Sequence, residues 1–192
     1  DSIESYLRQP IQEIYSTLFD AYKNKAQKTR LDEWMTADLG WTISDDLEET
    51  KFRLKRAAQF SCYALVNKLV FREALLKRHG SKMKALKVSE HIETGEELRL
   101  LLSGSFAQTI DATGDYETVF GETKHIGDLI PFKSDDAVPL WRSLIAQIHR
   151  FDFSKLDYEI IGNIFERLIS PDERKKYGQF YTRRLIVLLV KR

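Results

Sequence analysis

A single cysteine, Cys62, leaves no internal disulfide framework, so the fold rests on packing and suits a reducing compartment. Its apolar helical surroundings fit a buried thiol better than a nucleophile. No apolar run approaches the roughly 20 residues that span a bilayer, and the N-terminus lacks a signal-peptide pattern, so a cytoplasmic protein without membrane partners is expected. His79, His91, His125 and His149 have no Cys or acidic companions at metal-ligand spacing, which leaves no zinc pattern. Phosphate-loop and dinucleotide fingerprints are missing too. The acids of a metal-dependent nuclease are not convincingly present. Pro171-Asp172-Glu173-Arg174-Lys175 crowds them into one short segment, and Asp115 with Glu122-Thr123-Lys124 has no evident sheet around it.

What remains is a globular composition, 43% hydrophobic and 31% charged, with enough length in 192 residues for a real core. The net charge of +1 conceals strong segregation. Residues 1–50 carry 5 basic and 11 acidic side chains, whereas residues 51–87 carry 11 basic and a single acid, Glu73. Residues 88–136 reverse the balance with 3 basic against 11 acidic, and residues 170–192 carry 7 against 2. Such blocks either pair within the fold or form separate surfaces.

Apolar spacing is helical almost throughout. Ile3, Leu7, Ile11, Ile14, Tyr15, Leu18, Phe19 and Tyr22 recur every three or four residues and predict a helix from Ser2 to about Lys28, marked by Pro10. A short helix over 31–37 closes at Gly40, with Trp34 and Trp41 as core anchors. Ser44 is the expected cap of a long helix toward His79, broken once, with Asp45, Asp46 and Glu48 in its first turn. Phe52, Phe60, Tyr63, Ala64, Val66, Leu69, Val70 and Leu75 form its apolar face. Lys51, Lys55, Arg56, Lys68, Arg72, Lys77 and Arg78, continued by Lys82, Lys84 and Lys87, form either a phosphate-tracking stripe or a solvated face that pairs with the acidic segments. Residues 80–94 read as a loop. A capping box opens at Thr94 and Glu97 a helix to about Ile110, and residues 116–120 and 126–132 read as docking loops. Ser134-Asp135-Asp136 opens a last helix with the core stripe Val138, Trp141, Leu144, Ile145 and Ile148.

Toward the C-terminus a helical run over 158–168 leads through a charged stretch to Gly178-Gln179-Phe180-Tyr181-Thr182 and an apolar run over 185–190. Thr182 can cap that last helix, and a capped helix start is a place to hold a polar ligand. The string Ile160-Ile161-Gly162-Asn163-Ile164-Phe165-Glu166-Arg167-Leu168, followed by Gly178 to Thr182, resembles the entry to the methyltransferase domain of adenine-specific DNA methyltransferases of single-chain restriction-modification type. Arg183 stands where that family has proline, placing a positive charge at the positive end of the helix dipole. Ala57-Ala58-Gln59-Phe60 through Leu65-Val66-Asn67-Lys68-Leu69-Val70-Phe71-Arg72 is similar to the helical connector ahead of that domain.

The resemblance implies an all-α connector over 1–170 and, over 171–192, the truncated first element of an α/β methyltransferase domain. It implies S-adenosylmethionine as cofactor of the intact parent, bordered by Gly178, Phe180, Tyr181 and Thr182, with DNA and the rest of the methyltransferase domain as partners. The family's Asn/Asp-Pro-Pro-Tyr/Phe catalytic motif does not occur in these 192 residues. The expectation is therefore a non-catalytic piece of a longer enzyme, binding no cofactor by itself and exposing an apolar 185–190 face prone to self-association. A helical DNA-binding module, or a scaffold for protein partners, is the alternative.

Overall fold

The structure, a computed structural model, describes residues 3–121 and 126–151. The chain divides between Phe151 and Asp152, so all described residues belong to the first unit. The segment assigned to a methyltransferase domain lies outside them, and with it the expected α/β character. Among the described residues every regular element is a helix or a 3-10 turn.

The N-terminal reading needs correction. Instead of one helix to about Lys28, α1 (Ile3–Ala21) and α2 (Lys25–Ala37) are separated by a turn. Asn24 makes the break, its side-chain oxygen accepting hydrogen bonds from the Ala26 and Gln27 N–H groups at 3.1 and 3.2 Å. Those are orphan donors of the first turn of α2, so the helix starts there rather than at Leu31. Helix α1 contains Pro10 and buries Leu7, Ile11, Ile14 and Leu18, while α2 buries Leu31, Trp34 and Met35. Gly40 adopts a left-handed φ of 67°, which lets the Trp41 N–H reach back to the Met35 carbonyl at 3.0 Å.

Helix α3 (Leu47–His79) runs 33 residues without the expected break. The segment contains neither proline nor glycine, so nothing in it interrupts the backbone ladder. Its cap is Asp46 rather than Ser44, with the Asp46 carboxylate accepting from the Glu49 N–H at 2.9 Å. Ser44 lies two positions before the cap, its hydroxyl accepting from the Asp46 N–H at 3.2 Å. Phe52 is also corrected. The buried stripe in this part of α3 is Leu54, Ala57 and Ala58, and Phe52 lies about 200° around the helix from Leu54, leaving it 56% exposed.

Helix α4 (Gly95–Thr113) starts at the predicted capping box. Thr94 Oγ1 accepts from the Glu97 N–H at 3.2 Å, and the Glu97 carboxylate accepts from the Thr94 N–H at 3.0 Å. The two stretches read as docking loops are instead helical: α5 (Glu117–Phe120), α6 (Ile126–Leu129) and a 3-10 turn, Ile130–Phe132. Phe120 and Ile130 carry them into the core. Phe120 stacks on Phe71 of α3 at 5.7 Å and meets Phe106 of α4 at 5.4 Å, tying three helices through one aromatic group. After a second 3-10 turn, Asp135–Ala137, α7 (Val138–Arg150) buries Val138, Trp141, Leu144, Ile145 and Ile148, the predicted stripe in full.

Two contacts fix the start of α4 against the turns before α7. A side chain at Gly95 would put its Cβ 1.9 Å from the Phe132 carbonyl oxygen, so only glycine permits the approach. The Gly95 N–H then donates to the Asp135 carboxylate at 2.8 Å. Nearby, Trp141 Nε1 donates to the buried Pro131 carbonyl at 3.0 Å, which lets the indole be fully buried. Helix α3 is the axis of this unit, packing against α1, α4, α6, α7 and the 130–132 turn.

Candidate nucleic-acid interface

The basic residues of the 51–87 segment meet different fates in the folded chain. Lys51 pairs with Glu48 one turn earlier on α3 at 2.7 Å, and Lys68 reaches Asp128 of α6 at 3.5 Å. Lys77 lies 3.6 Å from Glu73. The Arg56 guanidinium sits over the rings of Trp41 and Phe52, at 5.4 and 5.2 Å from their centroids. Lys55 is exposed, and the side chain of Arg78 lies outside the described residues. The stripe is thus partly consumed by pairing and stacking, and contacts this close take charge away from a distant phosphate.

Arg72 departs furthest from the expected phosphate contact. Only 2% exposed, it points into the unit, where its Nη2 donates to the Lys84 carbonyl at 2.7 Å and its Nε to the Ser105 carbonyl at 3.5 Å. Burial pulls its pKa down while the charge of neighbouring Glu73 opposes that shift. A nucleic acid cannot reach this guanidinium. Arg53, also buried, donates to the Ser44 carbonyl at 2.9 Å and to the Thr50 hydroxyl at 3.2 Å, closing the entry to α3.

Glu73 completes an interior polar group. One carboxylate oxygen lies 2.9 Å from His149 Nδ1 on α7, and Lys77 approaches the same oxygen from the next turn. Beside it, Leu69, Arg72, Glu73, Leu86, Ile145 and Ile148 line a partly open cavity of about 10 Å³. Arg72 Nη1 is buried with no hydrogen-bond partner among the described residues. A space of that size suits one water and is far too small for a cofactor. Cys62 is buried, and burial raises its thiol pKa far above the ordinary range, which keeps it protonated and unreactive. Among the described residues no group of three or more His, Cys, Asp or Glu side chains could hold a metal ion, and no helix is long and apolar enough to cross a membrane.

After His79 the chain leaves α3 through Gly80 and runs over the surface to Thr94. Met83 is buried, whereas Lys82, Lys84 and Lys87 are exposed. No ion-pair partner reaches these three ammonium groups among the described residues. The main chain between them is well held. The Lys84 carbonyl accepts from Arg72, and its N–H donates to Gln108 Oε1 at 3.2 Å. Sequence reasoning grouped these lysines with the helix stripe. The end of α3 at Gly80 and the loop after it follow the sequence reading; the overlooked signal was the lone apolar Met83 set between two lysines.

Gly178, Phe180, Tyr181 and Thr182, the positions implied for S-adenosylmethionine, lie outside the described residues. Glu122, Thr123 and Lys124 do as well. No protein-family model matches the chain, and neither a curated protein nor a solved structure is significantly similar to it.

Proposed function

We propose that the chain is the helical connector of an adenine-specific DNA methyltransferase of restriction-modification type, leading into the first element of its methyltransferase domain. The observation that carries this reading is the order of two sequence signals. The connector-like segment 57–72 comes first, followed by the Ile160 to Leu168 helix pattern and Gly178-Gln179-Phe180-Tyr181-Thr182. The all-α character of the described residues is compatible with a connector. In this reading the parent moves a methyl group from S-adenosylmethionine to the exocyclic amine of an adenine turned out of the duplex. Tyr181 and Thr182 border the cofactor, and the helical body sets the methyltransferase domain on DNA.

The test is the reading frame around the chain, followed by calorimetry with S-adenosylmethionine on the polypeptide that frame encodes. A downstream Asn/Asp-Pro-Pro-Tyr/Phe motif is expected, along with cofactor binding that Tyr181→Ala and Thr182→Ala weaken. A stop codon soon after Arg192, or binding indifferent to both substitutions, overturns the assignment. The second reading, a helical DNA-binding module without chemistry, is favoured by the three exposed lysines at 82, 84 and 87 that have no acidic partner among the described residues.

A further inference from the structure

We infer that the loop after α3, through Lys82, Lys84 and Lys87, is the surface that meets the phosphates of duplex DNA, and that α3 holds this loop rather than touching DNA itself. The inference rests on the DNA-binding reading above and locates it. Three observations lead to it. The cations of α3 are largely committed: Lys51 to Glu48, Lys68 to Asp128, Lys77 to Glu73, and Arg53 and Arg72 to the interior. The loop lysines are exposed and have no acidic partner among the described residues. Finally, the loop is fixed from below. Met83 is buried, Arg72 grips the Lys84 carbonyl from inside, and Gln108 accepts its N–H.

A loop already held in place loses little freedom on binding, so its charges act at low entropic cost. Lys82 and Lys84 are exposed on either side of the buried Met83. Glu90 and Glu93 are exposed farther along the same connection. The nearby acids Glu96 and Glu97 are engaged, by Arg99 at 2.7 Å and by the capping box. The chemistry is that of ammonium groups on a phosphate backbone, without base readout, so binding should depend on salt and not on sequence.

The experiment is fluorescence anisotropy of a labelled duplex with the 192-residue chain at about 50 and 200 mM salt. Three forms are compared: the native chain, Lys82→Ala/Lys84→Ala/Lys87→Ala, and Lys51→Ala/Lys55→Ala/Lys68→Ala. If each loop lysine neutralises one phosphate, the loop variant loses about 2.7 units of salt slope, equivalent to about 40-fold less weakening between the two salts. The helix variant should keep the native slope, and both should keep the native far-ultraviolet spectrum and unfolding midpoint. A lowered slope in the helix variant with a native slope in the loop variant overturns the loop assignment and leaves the DNA-binding reading standing. No binding by the native chain at the lower salt overturns both. Binding to phosphatidylserine vesicles through the same lysines, without binding to DNA, overturns the inference in favour of an anionic lipid surface.

Discussion

The first turns of α3 and its later turns are one continuous helix in two different environments. Up to Phe60 the helix buries a stripe of Leu54, Ala57 and Ala58 and leaves Leu47 and Phe52 more than half exposed. From Leu65 to Leu76 every residue except Lys68 is buried. A helix enclosed on all sides has no solvent face to which a polar group can be assigned. Arg72 and Glu73 therefore take protein partners, the Lys84 carbonyl for one and His149 for the other. In the first half, by contrast, Lys55 simply projects outward. Lys55 serves as surface charge on this helix, whereas Arg72, like Arg53 nearer its start, braces the interior.

The sharpest way to test that contrast is to truncate one leucine in each half. Leu75→Ala, at a position 2% exposed, should lower the unfolding free energy by about 2–5 kcal/mol. Leu47→Ala, 57% exposed, should stay within about 0.5 kcal/mol. Urea unfolding midpoints measure both, and equal losses would erase the distinction. A smaller separation is expected between cations. Arg72→Ala removes a packed stem and frees the Lys84 carbonyl, at about 2–3 kcal/mol, whereas Lys55→Ala should fall within about 0.5 kcal/mol. Arg72→Met should fall between them, because the stem is restored and the hydrogen bonds are not.

The smallest effect concerns charges at an exposed helix start. The Glu97 carboxyl is held below the ordinary glutamate range by the backbone N–H groups of Glu93 and Thr94, and that of Glu96 by the hydrogen bond from Arg99. A depressed native pKa means that the stabilisation is present above the unfolded-state pKa and is lost as pH falls through the native one. Melting temperature should thus decline as pH is lowered through the carboxylate range. Glu97→Gln should reduce the part of that decline that comes from the cap. An unchanged pH profile in that variant would show the capping carboxylate to be energetically silent.

Much of the helical architecture was legible because its causes are local. The capping box at Thr94 and Glu97 sits within four residues, and the α7 stripe repeats every three or four. Local signals were also missed. Asn24 marked the start of α2, and the lack of proline and glycine over 47–79 argued for an unbroken α3. Phe52 was misplaced because in α3 the apolar residues lie all around the helix. Only tertiary neighbours decide which of them meets solvent.

The candidate interface was legible only as an excess of basic residues. By itself, the sequence determined an all-α body, its principal helices and the concentration of positive charge over 51–87, since periodicity, caps and composition act over a few residues. Tertiary structure decided which cations remain available. Lys68 finds Asp128 across 60 positions and Arg72 reaches Ser105 across 33. It likewise brought Gly95 against Phe132 and Glu73 to His149. Pairings over such separations depend on how helices pack, and no local repeat in the chain encodes them.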